Sequence, residues 1–421
     1  MIPTGRLSYS NQSVSATRIF AEQCASAKSR SAESALVNTQ KDAPFFDKDS
    51  VKTSFFADGR VVGIDMETGE VREMGNKKTS EQSRQERYAL RNSVSVILPA
   101  HRIAKCGKWT LPRQKTKIYK HKDTNKAFYG GLEVCSNVWI CPVCAAKIAE
   151  RRREELVRGR EQAAKLGYQM VMLTLTAPHY LNDDVGDLLR GLRESLNKVF
   201  KDRSGRNFIN RFQILGRIRA LEVTWSENNG FHPHFHILLF VPTGYSAKDF
   251  KDMEDTFFPL WKGACEARGL GSPSRKHGIS VDAGEQVAEY VSKWGLEDEM
   301  TKAHIKRSNK GFSMFDLVRA YQETGDEKYK RVFMVFYRAF KRQQQLVWSK
   351  GLKDKLLIDD KSDEELNAEE IEEAVEFKEF TREEWKAVRV SNSMAYMLDL
   401  AEQSPDKFDK VLKGLVRLYG D

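Results

Sequence analysis

Phe231-His232-Pro233-His234-Phe235-His236-Ile237-Leu238-Leu239 is the stretch that decides the fold. Histidine at every second position, followed by aliphatic residues, reads as a β-strand. Side chains alternate across a strand, so His232, His234 and His236 share one face while Phe235 and Ile237 point into a core. Three of the eight histidines in the chain fall within this stretch. Imidazoles crowded on one face repel when charged, and a divalent cation is the usual reason to gather them.

On the N-terminal side, Ile218 to Trp225 reads as a second strand and Asn228-Asn229-Gly230 as a turn, so the two strands form a hairpin. A three-residue loop pairs Glu227 with Phe231, placing Glu222 opposite His236 and Thr224 opposite His234 on the histidine face. A two-residue loop would send Glu222 to the other face. Glu222 is otherwise an acid inside Ala220-Leu221-Glu222-Val223-Thr224-Trp225, where a buried charge needs a partner. Two imidazoles and a carboxylate with open positions suit Mg²⁺ or Mn²⁺ acting on a phosphate, and three imidazoles including His232 would favour zinc.

Further out, Met170-Val171-Met172-Leu173-Thr174-Leu175-Thr176 is a β-rich run closed by Pro178. Val185, Leu188, Leu189, Leu192, Leu196 and Val199 have helical spacing, a helix is expected over about 247–268, and a short strand over 279–282. The order is βαββαβ followed by a helix from near Ala283. This predicts an α+β fold, an antiparallel sheet with helices on one face. On the last helix Gln286, Tyr290 and Lys293 share a face, with Glu297 one turn further. A phenol near a metal-bound phosphate is a candidate nucleophile, and a nearby lysine could lower its pKa or bind the phosphate. Without the histidines, the same residues read as an amphipathic surface helix.

Ahead of the sheet, Cys141-Pro142-Val143-Cys144 is preceded by Cys135 and Cys106. Thiolate pairs at this spacing are the usual knuckle of a structural Zn²⁺ site, and four ligands close it. A redox pair is the rival, but no thioredoxin-like pattern surrounds it. Cys106 is the outlying ligand of the set, and Cys24 and Cys265 read as spectators.

Together these pieces resemble the HUH endonucleases, and within them the single-tyrosine rolling-circle replication initiators of small plasmids and some phages. Leu173-Thr174-Leu175-Thr176 resembles the first motif of that family. His234-Phe235-His236, with His232-Pro233 before it, matches the second, and Tyr290-Val291-Ser292-Lys293 the third. The tyrosine follows the histidine motif, as in initiators, whereas in conjugative relaxases it precedes it. The resemblance covers roughly residues 100–295. It implies a ferredoxin-like (RRM-like) βαββαβ core and a metal-dependent nickase acting on single-stranded or extruded origin DNA, leaving a 5′-phosphotyrosine and a free 3′-hydroxyl. Similar initiators carry a Cys-Pro-Val-Cys run at this place. Such initiators often have a glutamate one helical turn before the tyrosine for the terminating cleavage. Here Gln286 stands there, and glutamine cannot act as a general base.

The 421 residues carry a formal net charge of +10, unevenly placed: +2 over residues 1–100, +16 over 101–350 and −8 over 351–421. A basic middle followed by an acidic tail suits a polyanion-binding core with an appendage. No apolar run reaches the ~18 residues of a membrane helix, and the N-terminus has no secretory h-region, so a reducing cytoplasm is expected. The chain divides into a largely mobile region over 1–95, a Cys-rich zinc module with a basic helix over 96–166, and a catalytic domain over 167–300. A basic helical segment over 301–350 and an acidic helical tail over 351–421 follow. No phosphate-binding Gly-x-x-x-x-Gly-Lys loop appears, so DNA unwinding would fall to a host helicase. Three rivals are an HUH-class single-strand transposase, a non-catalytic zinc-containing DNA-binding regulator, and a zinc hydrolase built on the three histidines. The first shares the chemistry, while the other two would leave the tyrosine helix without a role.

Overall fold

The computed structural model describes residues 51–55, 61–65, 71–74, 80–284, 287, 311–368 and 374–420. The chain divides into two compact units, residues 1–74 and 75–421. In the first, β1 (Val51–Phe55), β2 (Val61–Asp65) and β3 (Val71–Met74) form an antiparallel sheet in that order.

The second unit opens with α1 (Ser80–Ile97), the hairpin of β4 (Lys117–His121) and β5 (Ala127–Gly130), and α2 (Pro142–Lys165). There follow β6 (Tyr168–Leu175), α3 (Val185–Lys201), α4 (Arg203–Arg211), β7 (Gly216–Ser226), β8 (Gly230–Pro242), α5 (Ala247–Glu266) and β9 (Ile279–Ala283). After the undescribed stretch come α6 (Met314–Thr324), α7 (Glu327–Phe340), β10 (Leu346–Trp348) and β11 (Ala374–Glu379). The chain then closes with α8 (Arg382–Val390), α9 (Met394–Gln403) and α10 (Pro405–Tyr419). The fold is α+β with antiparallel sheets, as expected. The main sheet runs β10-β7-β8-β6-β9, every neighbour antiparallel.

Local chemistry sets the helix boundaries. Asp184 caps α3 by accepting from the Asp187 amide at 3.0 Å, and the apolar positions at helical spacing are all buried. Ser246 and Asp249 form a reciprocal capping box at the start of α5. Pro259 lies inside that helix, which nevertheless runs on to Trp261, whose Nε1 donates to the Thr176 carbonyl at 2.8 Å. This bond ties α5 to the end of β6.

Helices cover both faces of the sheet, not one. Val171, Leu173, Leu175, Phe235, Ile237 and Leu239 belong to the large core with α3, α5 and α7. Met170, Met172, Ile218, Ala220, Leu238 and Phe240 face the other way, into a smaller cluster with Leu156 and Ala163 of α2 and with Leu352 and Leu356. The reason is visible along β8. Burial alternates from Phe231 to Ile237 and then becomes continuous through Val241. A strand apolar on both sides needs two covers. The histidines lie where one face stops being apolar.

α1 extends through residue 97, and its Leu90 and Val94 are buried in the large core. The acidic C-terminal stretch is not a purely helical appendage: its β11 pairs with β4, and α8–α10 bury Trp385, Val388, Met397, Leu398 and Phe408 against Ile118, Ala127 and Leu132. The basic segment before it ends in β10, an edge strand on β7.

Arg84 locks this arrangement by donating to Asp399 Oδ1 at 2.7 Å and Glu402 Oε1 at 2.5 Å, with side-chain exposures of 12%, 7% and 9%. Glu402 Oε1 also accepts from the Ala127 amide at 2.6 Å. Removing one partner of a buried ion pair strands the others, at a cost of about 3 kcal/mol or more. Arg84→Ala should lower the denaturation midpoint accordingly. An unchanged midpoint in urea titration would mean that the triad contributes nothing net.

Candidate metal centres

β7 and β8 bring Glu222, His234 and His236 together. The hairpin loop is Glu227-Asn228-Asn229, with Ser226 paired to Gly230, so Glu222 lies opposite His234 and Ala220 opposite His236. The expected pairing of Glu222 with His236 is therefore off by two residues. The cause is Gly230, which has φ +73° and closes the hairpin as a paired residue instead of sitting within the loop. A Cβ there would also meet the Tyr180 and Leu181 backbone at 3.0 Å. A shift of two preserves the face, so Glu222 stays with the histidines.

Glu222 Oε2 lies 3.4 Å from His234 Nε2 and 3.3 Å from His236 Nε2. Ligands about 2.1 Å from one ion and at near-octahedral or tetrahedral angles are roughly 3.0–3.4 Å apart, so these three atoms could hold a common metal ion. All three residues are partly exposed, which leaves access for a further ligand. Burial alone would raise the Glu222 carboxyl; hydrogen bonds from His234 and His236 outweigh it and hold the group well below the usual carboxylate range. A carboxylate between two imidazoles is a donor set that suits a divalent cation.

Thr174 orients the site from β6. It pairs with His236 across the sheet, and its Oγ1 lies 2.9 Å from His236 Nδ1. A proton on Nδ1 donated to Oγ1 leaves the Nε2 lone pair free for an ion. Thr174→Val keeps the shape and removes the acceptor. It should weaken divalent-metal affinity about 10- to 100-fold, read by titrating metal into the purified chain; unaltered affinity would show that the strand alone holds the ring.

His232 does not join this group. Its Nδ1 lies 3.2 Å from Nδ1 of His179, and burial, with the charges of His234 and His179 adding to it, lowers its pKa to about 4. It is a neutral ring stacked on His234 at a centroid distance of 5.0 Å. This geometry does not assemble the three-imidazole zinc set.

Cys106, Cys135, Cys141 and Cys144 form a second group, all buried, with their sulfurs within 4.8 Å of one another. Cys106 lies 3.4 Å from Cys144 and 3.8 Å from Cys141, and Cys135 lies 3.7 Å from Cys144. Tetrahedral thiolates around zinc, at about 2.3 Å from the ion, are separated by roughly 3.8 Å, which these spacings approach. Disulfide bonds are absent among the described residues. Hydrogen bonds from Cys106, Cys135 and Cys141 hold the Cys144 thiol well below its usual value, while burial pushes Cys141 well up. The Nη1 of the buried Arg91 has no hydrogen-bond partner among the described residues and would lie 2.6 Å from a Cβ on Gly107. Cys265 is buried elsewhere, its thiol pushed up to about 12 chiefly by burial.

Residues 131–397 match the family described as "Replication protein". This chain belongs to that replication protein family. Among its relatives are proteins named "Protein rep" from Streptomyces lividans, 27% identical over 43% of this chain and 51% of the relative, and from Bacillus amyloliquefaciens, 29% identical over 45% and 54%. A third, from Staphylococcus aureus, is 26% identical over 35% and 59%. The chain thus spans about half the length of these relatives. No solved structure matches it. The family span of this replication protein contains both groups except Cys106, which the fold nevertheless brings to the other three sulfurs.

Tyr290, Lys293 and Gln286 lie outside the described residues, as does Cys24. Val287 is described, and it is buried in the cluster on the histidine face of the sheet. Reading the sequence missed His179. Its signal was slight, a single histidine three residues beyond the end of the Leu173–Thr176 run. Among the described residues, no helix is long and apolar enough to cross a membrane.

Proposed function

We propose that this protein is a rolling-circle replication initiator that nicks origin DNA through a tyrosine nucleophile on an HUH-type core. The observation that carries the reading is the Glu222–His234–His236 group, oriented by Thr174, on a sheet of a chain belonging to the replication protein family. In chain order the elements from β6 to β9 are strand, two helices, two strands, helix and strand, which fits the core of that superfamily.

Glu222, His234 and His236 would hold Mg²⁺ or Mn²⁺. A divalent ion bound there supplies charge to polarise the scissile phosphate and to stabilise negative charge in the transition state. Tyr290 attacks the phosphorus through its phenolic oxygen. The bond from phosphorus to the DNA 3′-oxygen breaks, and the proton lost by the phenol is balanced by the one gained at the 3′-hydroxyl. Val287, three residues before Tyr290 in the sequence, is itself buried on the histidine face. Lys293 binds the phosphate or favours the phenolate. The cysteine group would hold a structural Zn²⁺ without taking part in the chemistry. Partners follow from the reaction: origin DNA in single-stranded or extruded form, and a host helicase.

The test is incubation of purified protein with supercoiled DNA from its own replicon, scoring nicked circles and covalent adducts. Nicking should stop on chelation and return with Mg²⁺ or Mn²⁺. Glu222→Gln should raise the metal concentration needed for half-maximal nicking by at least about tenfold, since lost metal ligands cost no less than lost outer hydrogen bonds. Full activity of Glu222→Gln at low metal would remove Glu222 from the site.

A further inference from the structure

We propose that Trp109, on the cysteine-bearing segment, is a stacking platform for unpaired bases, making this face a second contact for single-stranded DNA apart from the histidine site. The inference rests on the DNA-nicking reading above. Trp109 is 51% exposed, whereas the other described tryptophans are buried or half-buried. Two cations from different elements lie over the ring, Lys105 Nζ 5.4 Å from its centroid and Arg389 Cζ, from α8, 5.7 Å away, so a stacking base would displace one of them from the ring towards its own phosphate. Neither cation has a salt bridge among the described residues, so their charge is free for phosphate.

The platform is held rigidly. The Trp109 amide donates to the Lys105 carbonyl at 3.2 Å, and its own carbonyl accepts from the Glu133 amide at 2.7 Å. Cys106 lies within the same turn, so the cysteine group anchors the loop that carries the ring. From the other side, Trp385 Nε1 donates to the Lys108 carbonyl at 3.0 Å, and Arg389 lies one helical turn further along α8. An ordered loop presenting a half-exposed indole beside two cations loses little freedom on binding.

Charge selects the ligand. Between residues 101 and 122 there are eight Lys and Arg and no Asp or Glu. A basic surface carrying an exposed aromatic ring is how proteins take single-stranded nucleic acid: phosphates on the cations, base on the ring. Part of the positive charge is met by β11, where Glu376 pairs with Lys117 at 2.8 Å, but Lys105 and Arg389 lie outside that pairing. The duplex offers no exposed base face for stacking, so the preference should be for single strands.

The experiment uses the full chain and a fluorescein-labelled oligothymidylate lacking any origin sequence, read by anisotropy. Trp109→Ala should weaken binding about tenfold, and Trp109→Phe should stay within about twofold. The double variant Lys105→Gln/Arg389→Gln should lower the slope of log affinity against log salt by about 1.4, at roughly 0.7 per charge. Nicking of a short origin oligonucleotide at saturating concentration should be unchanged in all three. Wild type that nicks while Trp109→Ala binds oligothymidylate equally well overturns the platform alone. Wild type that neither nicks nor binds DNA overturns the function and the platform with it. Should Trp109→Ala fail to fold, the double variant decides: an unchanged salt slope overturns the proposal.

Discussion

Tyr290→Phe is expected to abolish the covalent protein–DNA adduct and to reduce nicking by at least about 10³-fold while origin binding stays within about twofold. The substitution removes one oxygen, and with it the atom that would attack the phosphorus. Everything that would hold DNA remains, because affinity for DNA generally rests on many phosphate contacts spread over a basic surface. The middle of the chain carries a net charge of +16 to supply them. Two measurements on one preparation separate chemistry from binding: denaturing gel electrophoresis of end-labelled origin DNA reads the adduct, and anisotropy reads the complex. Because the phosphodiester energy is kept in the tyrosine linkage, the reverse attack by a 3′-hydroxyl would need no nucleotide cofactor. Adduct formed by Tyr290→Phe at undiminished yield would place the nucleophile elsewhere. Loss of binding together with the adduct would show a structural defect instead of a chemical one.

The histidine face was legible because period-two alternation is a property of the strand itself. His232-Pro233-His234-Phe235-His236 needs no partner to show which side chains share a face. Pairing register is different, since it depends on which residue takes the left-handed conformation at the turn. Asn228-Asn229-Gly230 read as a loop, yet Gly230 is paired, which moved Glu222 from His236 to His234 without moving it off the face. The four cysteines were legible from the Cys-Pro-Val-Cys spacing, and long-range folding alone could decide that Cys106 joins them. The second cover of the sheet was missed although its trace is present, in the unbroken apolar run from Ile237 to Val241. Nothing in the local pattern of the acidic tail says that Ala374–Glu379 will pair with Lys117–His121, because that contact joins segments more than 250 residues apart. His179 was invisible for a related reason: only the approach of the loop after β6 to β8 makes it a neighbour of His232.

Purified protein should contain about one tightly held zinc ion per chain, retained after the divalent ion of the histidine site has been dialysed away. Four thiolates are soft ligands and select zinc, whereas two imidazoles and a carboxylate with open positions suit the harder Mg²⁺ or Mn²⁺. The two groups should therefore not exchange metals. Cys106, Cys135, Cys141 and Cys144 are all buried, with their sulfurs within 4.8 Å of one another. The ion would pin three separate pieces of chain: the turn after α1, the segment before α2, and the first turn of α2, whose N-cap is Cys141. Cys141→Ser should thus cost at least ~3 kcal/mol, lowering the thermal midpoint by roughly 6–12 °C at about 2–4 °C per kcal/mol. The nicking rate per folded molecule should stay close to wild type, since the sulfurs form a group separate from Glu222, His234 and His236. A variant that keeps its midpoint and loses nicking would reverse the roles given to the two groups. Well-folded protein without zinc would make the sulfurs a buried thiol cluster, and it would leave the assignment of Tyr290, Glu222, His234 and His236 standing.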